Sequence, residues 1–370
     1  MLSGLDDLPW GDYRHAYGPA DDVPQALRQL TARQAKVRSA AYDRLFSTIA
    51  HQGAIYSATA QAVPFLLALL RQSDLPDRHK LLDLLIAIRE GGSWHAAHRD
   101  ELIAEGDFSL EDYEEAVSEE LYWVEQTYAA VDRGLGMFIK QLGSDDPRVR
   151  ARAARLLAVF HHRRDLVLPA MQSHYAFEQD EVVKASTLMG IVRLIADKFD
   201  EAEAALDKVW AIEGSPLVRL IAAQLLTVYR RGDVSSEIAI FLLDAFSEPG
   251  ALVEAYRAYP WAKNDLRTDL IPTLEMLGEA YRAHTVHALA DFVREESSAL
   301  FDAERTLPPL LSLAFGGPLS ERPALDTPQR EALQALLDSP YDWADDPAVK
   351  GVLRSFNLPA RPDVVRRLLA

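Results

Sequence analysis

The sequence predicts an all-α chain of stacked helical hairpins, an α-solenoid, and three observations predict it. One motif recurs at spacings of 34 and 35 residues through Val149-Arg150, Val183-Lys184 and Val218-Arg219. A second motif, an aliphatic residue followed by proline, recurs at Val23-Pro24, Val63-Pro64, Leu168-Pro169, Ile271-Pro272 and Leu307-Pro308. The composition suits a folded core: 49% of 370 residues are hydrophobic, with 18 glycines and 20 prolines. Two helices per unit and a period in the mid-thirties are the signature of a solenoid. A lone hairpin cannot bury its apolar face, so neighbouring units must cover it.

The three clear copies align on the basic residue. Three positions after it stand Ala153, Thr187 and Ala222; seven after it stand Leu157, Ile191 and Leu226; ten after it stand Phe160, Leu194 and Tyr229. These offsets share one face of a 3.6-residue helix. The small residue at the first of them lets a neighbouring helix come close. Asp146-Pro147, Asp180-Glu181 and Ser215-Pro216 precede the three helices. Asp and Ser side chains accept hydrogen bonds from first-turn N–H groups, and proline is well placed at the first helical position. A fourth copy lies at Val37-Arg38, with Ala41, Leu45 and Thr48.

These residues resemble HEAT repeats, in which the first helix carries the proline and the second opens with an Asp, a Val and a base. The resemblance is strongest over 144–230, weaker over 23–90, and weakest over 91–143 and after 232. It implies a right-handed α-solenoid of seven or eight curved hairpins. It also implies a ladder of turn acids and helix bases, by position Asp146 with Arg150 and Asp180 with Lys184. Ser215 replaces the acid before Arg219. The words His15-Ala16-Tyr17-Gly18-Pro19 and His51-Gln52-Gly53 are also similar to those of bacterial HEAT-repeat proteins. Members of that family mostly bind other proteins; a minority bind DNA or do chemistry.

On this reading residues 1–22 cap the open end. Residues 23–320 form the repeat body, with a long acidic helix inserted at about 91–143, and 321–370 form a C-terminal helical cap. Helices are expected near 23–31, 33–51, 58–72 and 77–90. More are expected near 235–247, 250–258, 266–282, 284–296 and 298–315, then near 328–338, 346–356 and 361–369. Residues 316–328 are the linker candidate.

Net charge is −17, which argues against phosphate-backbone recognition. The densest basic strip is Arg148, Arg150, Arg152, Arg155, Arg163 and Arg164, expected as a solvated face. Cysteine is absent, which removes disulfides, thiolate nucleophiles and cysteine metal sites. No basic region or apolar run marks the N-terminus, and no run of 18 apolar residues exists. A cytoplasmic monomer is expected.

Residues 100–132 contain twelve Asp and Glu and no Lys, Arg or His, so the other 337 residues carry only −5. Leu110, Tyr113, Val117, Leu121, Val124, Tyr128, Val131, Leu135, Phe138 and Leu142 step by three or four. One amphipathic helix of about 33 residues, roughly 50 Å long, follows. Its carboxylates Glu111, Glu114, Glu115, Glu119 and Glu120 are the candidate partner-binding residues, since clustered like charge steers an opposite surface.

Other candidates are weaker. Tyr13, His15 and Tyr17 could bind a ligand. His51 reads as a helix-end residue, with Gly53 as a left-handed stop. His95 and His98 share a helical turn, but zinc needs further ligands. His161 and His162 end a basic helix. Asp265 beside Trp261 and Tyr259 faintly resembles the aspartate of HEAT-like DNA glycosylases. No phosphate loop, nucleophile elbow, zinc-protease or calcium-loop pattern is present, so no catalytic set, metal or cofactor is indicated. The expected function is a non-enzymatic scaffold that binds a protein partner, basic by charge complementarity, through its concave face or the acidic helix. An immunity-type inhibitor of a basic toxin or nuclease, and a nucleic-acid-modifying enzyme, are the alternatives.

Overall fold

The computed structural model describes residues 2–105, 109–295, 303–319 and 324–370. Among them are twenty-one α-helices, four 3-10 turns and one two-stranded sheet, so the chain is all-α. It divides into two compact units, Met1–Leu194 and Ile195–Ala370.

In the first unit a 3-10 turn (Trp10–Asp12) and a hairpin of β1 (Arg14–His15) and β2 (Gly18–Pro19) precede the helices. These are α1 (Val23–Gln29), α2 (Ala35–Ile49), α3 (Ser57–Leu70), α4 (Arg78–Glu90), α5 (Trp94–Ala97) and α6 (Arg99–Glu105). There follow α7 (Leu110–Asp132), α8 (Leu135–Gln141), α9 (Pro147–Leu157), α10 (Arg164–Phe177) and α11 (Glu181–Leu194). The helix α2 packs on α4, α4 on α9 and α9 on α11, while α1 packs on α3 and α3 on α7. Two rows of neighbouring helices result, α2, α4, α9 and α11 in one and α1, α3 and α7 in the other.

The aligned residues explain this packing. Val149, Val183, Ala153, Thr187, Leu157 and Leu194 are all buried. Asp146 accepts a hydrogen bond from the Arg148 N–H at 2.9 Å, and Asp180 from the Val183 N–H at 3.0 Å. Both helices therefore start where the cap residues stand. Gly190 lets α11 close on its neighbours: a Cβ there would lie 2.5 Å from Met171 Cε and 3.1 Å from the Ala154 carbonyl oxygen. Ser186 seals the contact by donating to the Ala151 carbonyl at 2.7 Å. Pro64 and Pro169 sit inside α3 and α10.

The second unit holds α12 (Phe199–Ile212), α13 (Pro216–Tyr229), α14 (Ser236–Ser247), α15 (Leu252–Ala258) and α16 (Leu266–Glu275). It continues with α17 (Arg282–Glu295), α18 (Ala303–Phe315), α19 (Thr327–Asp338), α20 (Pro347–Ser355) and α21 (Pro362–Leu369). Ser215 caps α13 through the Val218 N–H at 3.5 Å, and Val218, Ala222 and Leu226 are buried. The helix α14 packs on α16 and α17, α17 on α19, α18 on α20, and α19 on α21.

Two expected boundaries change. The acidic helix is two helices, parted at Arg133-Gly134; a Cβ on Gly134 would meet the Phe138 side chain at 2.4 Å and that of Leu67 at 2.7 Å. Its apolar stripe is also only part buried: Leu110 and Leu121 are exposed. Its partner α3 has 14 residues against 23 in α7, and the four-residue α5 meets part of the remainder. The helix expected at 266–282 stops at Glu275, ahead of Gly278 with φ of 73°. Within the expected helix at 298–315 and linker at 316–328, residues 298–302 and 320–323 lie outside the described residues.

The buried face is testable. Leu157 is fully buried, so Leu157→Ala is expected to lose about 2–5 kcal/mol in urea unfolding. Ile212 is 85% exposed, and Ile212→Ala should change stability by less than about 0.5 kcal/mol. Equal effects would mean the helix faces are misassigned.

Candidate functional site

The acidic helix meets the N-terminal hairpin across a cleft of about 440 Å³. Ala116, Glu119, Glu120 and Trp123 line one side, at the i, i+3, i+4, i+7 spacing that shares a helix face. Asp12, Tyr13, Arg14 and His15 line another, with Tyr56, Ser57 and His95 completing it. Its size and mixed lining suit a ligand or an inserted side chain.

The hairpin is tied down by several contacts. Trp10 is buried, donates its indole N–H to the Leu5 carbonyl at 2.7 Å, and lies 6.2 Å from Phe65 of α3. His15 is buried too. Its Nδ1 accepts from the Tyr17 N–H at 3.0 Å, so Nε2 carries the proton toward Asp22, 2.9 Å away. Burial works against the Asp22 charge, yet hydrogen bonds from Arg44 and His15 hold its carboxyl below the usual range. His15 is thereby a structural residue. Tyr13 meets Trp123 edge to face at 6.4 Å and so forms an aromatic corner of the cleft. Tyr17 is exposed, with its ring 5.4 Å from that of His51. Gly53 has the left-handed φ of 78° expected of it.

The five carboxylates divide. Glu111, Glu114, Glu115 and Glu119 are exposed. Glu120 is half-buried and accepts from Ser93 Oγ at 2.6 Å, the His95 N–H at 3.1 Å and His95 Nδ1 at 2.8 Å. It fastens α5 to α7. Burial raises the Tyr56 phenol above its ordinary value, and the nearby Glu120 charge and Tyr17 add to this. A second hollow of about 430 Å³ runs along α7 beside Glu114, Leu121 and Tyr122.

His98 donates its Nδ1–H to the Trp94 carbonyl at 2.8 Å and stacks on the Trp94 ring at 4.6 Å, while His95 is bonded to Glu120. Among the described residues, no group of three or more His, Asp or Glu is placed to hold a metal ion. His162 pairs with Asp132 at 2.6 Å and His161 is exposed. Asp265 caps α16 through the Thr268 N–H at 3.1 Å and accepts from the Thr268 hydroxyl at 2.6 Å, while Tyr259 is buried.

The ladder residues have definite partners. Asp146 takes the Arg148 guanidinium at 2.8 Å. Arg150 reaches back to the Ser144 and Asp145 carbonyls and out to Glu178, with bonds of 2.7 and 3.0 Å to its two oxygens. Arg38 does the same: it donates to the Ala32 and Arg33 carbonyls and to Asp77 at 2.7 Å. Lys184 Nζ lies 5.4 Å from the Tyr175 ring centroid, and Arg219 lies 4.3 Å from that of Trp210. Most of the basic strip is likewise paired: Arg152 with Asp83 at 2.7 Å and Arg155 with Glu90 at 2.8 Å, while Arg164 donates to the Leu194 carbonyl and Arg163 is exposed.

No family model and no curated protein matches the sequence. Among solved structures, the crystal structure of an engineered protein is similar over 94% of this chain and 94% of that one, at 17% identity and a TM-score of 0.26. A superposition at that level carries no argument about fold or function. Among the described residues, no helix is long and apolar enough to cross a membrane.

Proposed function

We propose that this protein is a non-enzymatic HEAT-type scaffold, a right-handed solenoid, that captures a basic protein partner on the acidic face of α7. One observation carries the reading: Glu111, Glu114, Glu115 and Glu119 are exposed together on a single helix that also exposes Leu110, Leu121 and Tyr122. Uncompensated like charge beside apolar side chains suits an electrostatically steered interface with a hydrophobic centre. The recurrent pairing of α2, α4, α9 and α11 supports the repeat reading. The pairing of Arg148, Arg150, Arg152 and Arg155 with carboxylates supports a protein partner over nucleic acid.

The test uses a fluorescein-labelled peptide rich in arginine and lysine. Binding followed by anisotropy should weaken at least tenfold between 50 and 300 mM salt. The triple variant Glu111→Lys, Glu114→Lys, Glu115→Lys should abolish it while helical circular dichroism is unchanged. Glu120 is left alone because it is structural. Wild-type affinity in the triple variant would reject the acidic face as the docking surface.

A further inference from the structure

The cleft between α7 and the N-terminal hairpin carries more than general acidity. We propose that it is a receptor for a cationic side chain, arginine above all, presented by the basic partner; the inference rests on the docking reading and names its anchor. The cleft volume of about 440 Å³ admits a guanidinium and its alkyl stem. Tyr13 and Trp123 meet at 86°, so a planar cation entering the corner faces one ring while touching the edge of the other. Aromatic faces attract cations, and guanidinium planes stack on them.

The charges around the cleft agree. Asp12, Glu119 and Glu120 line it against Arg14 and His95. His95 is already bonded to Glu120, and Arg14 is exposed, with its backbone N–H fixed to Ser57 Oγ at 2.8 Å. Glu119 makes no ion pair among the described residues and is exposed at the rim, available to a charged guest. An anionic guest would enter against the field of α7, whose 23 residues contain acids and no bases. Tyr56, the third aromatic, lines the same cleft beside Glu120. The apolar part of the lining, Ala116 and Ile55 with the rings, suits the methylene stem of a long basic side chain.

The experiment titrates full-length protein with three blocked amino acids of similar size: acetyl-arginine amide, acetyl-norleucine amide and acetyl-glutamate amide. The readout is the ¹⁵N shift of the Trp123 indole, assigned by its loss in Trp123→Phe. The arginine probe should give a saturable shift, and the other two none. Glu119→Gln, whose exposed side chain leaves the fold alone, should weaken the arginine probe about fivefold or more, as should Tyr13→Leu. Equal binding of the norleucine probe would reduce the cleft to an apolar hollow, binding of the glutamate probe would invert its polarity, and indifference to Glu119→Gln would remove its charge selectivity; each overturns the proposal. The two readings fail separately. If the arginine probe binds while the triple lysine variant captures the basic peptide normally, the docking face is wrong and the receptor stands. If the triple variant loses the peptide and the probe never binds, the receptor alone is wrong.

Discussion

Gly232→Ala is expected to destabilise the second unit by more than about 3 kcal/mol. Gly232 follows α13, whose end is closed by Arg231 at φ of 52° and Gly232 at φ of 87°. The Gly232 N–H reaches back to the Thr227 carbonyl at 2.8 Å, the long bond of a Schellman closure. A Cβ on Gly232 would fall 1.7 Å from the Met276 carbonyl oxygen and 2.7 Å from its carbon. Those are backbone atoms, so no side chain can swing aside. Gly278 separates the two penalties. Its φ of 73° and ψ of −170° are a glycine conformation too, but open space surrounds it, so Gly278→Ala should lose only the backbone cost, about 1–3 kcal/mol. Urea unfolding of both variants checks the point; equal losses would mean that the contact with Met276 is unimportant.

The second large effect concerns Glu178. Its side chain is 5% exposed and that of Arg150 is 18% exposed. Beyond the two bonds to Arg150, Oε1 accepts the N–H groups of Gln179 and Asp180, both at 2.9 Å. Removing one member of a buried pair leaves the other charge without compensation, a loss of roughly 3–5 kcal/mol. Glu178→Ala should show it, and the double variant Arg150→Met, Glu178→Leu should recover part of it. A double variant less stable than Glu178→Ala would contradict the uncompensated-charge explanation.

The same cluster sets an acid response. Burial opposes ionisation of Glu178, yet hydrogen bonds from Arg150 and the backbone hold its carboxyl below the ordinary 4.5. Its contribution is therefore full above 4.5 and is lost as pH falls through the lower folded value. Burial likewise holds the His174 imidazole below 6.5, so the unfolded chain takes up that proton first. Stability should begin to fall below about pH 6.5 and fall faster below about pH 4.5; in Glu178→Ala the second fall should shrink.

The features legible in sequence were those set by local chemistry. Asp146, Asp180 and Ser215 cap the helices because a short polar side chain before an apolar period has little else to bond. Leu157 and Leu226 are buried because the period assigns their face. Glu178 lies outside the capping pattern, yet the sequence carries a signal for it. It stands two residues before Asp180, as Glu213 stands two before Ser215, and Glu213 also accepts the next two N–H groups. The break at Gly134 is half legible: Gly134 and Gly136 are the residues of the stretch that disfavour a continuous helix, while Leu67, which a Cβ on Gly134 would meet at 2.7 Å, comes from far away in sequence. The cleft was the least legible feature. Tyr13, His95 and Glu119 each stand apart in sequence, and only the packing of α3, α5 and α7 brings them together.

Hydrogen–deuterium exchange with and without the basic peptide tests the docking account most directly. Protection should concentrate on residues 110–123 of α7 and on the cleft segments 12–18 and 93–97, and should vanish in 300 mM salt. Protection confined to the second helices of the pairs, α4, α9 and α11, with α7 unchanged, would contradict it.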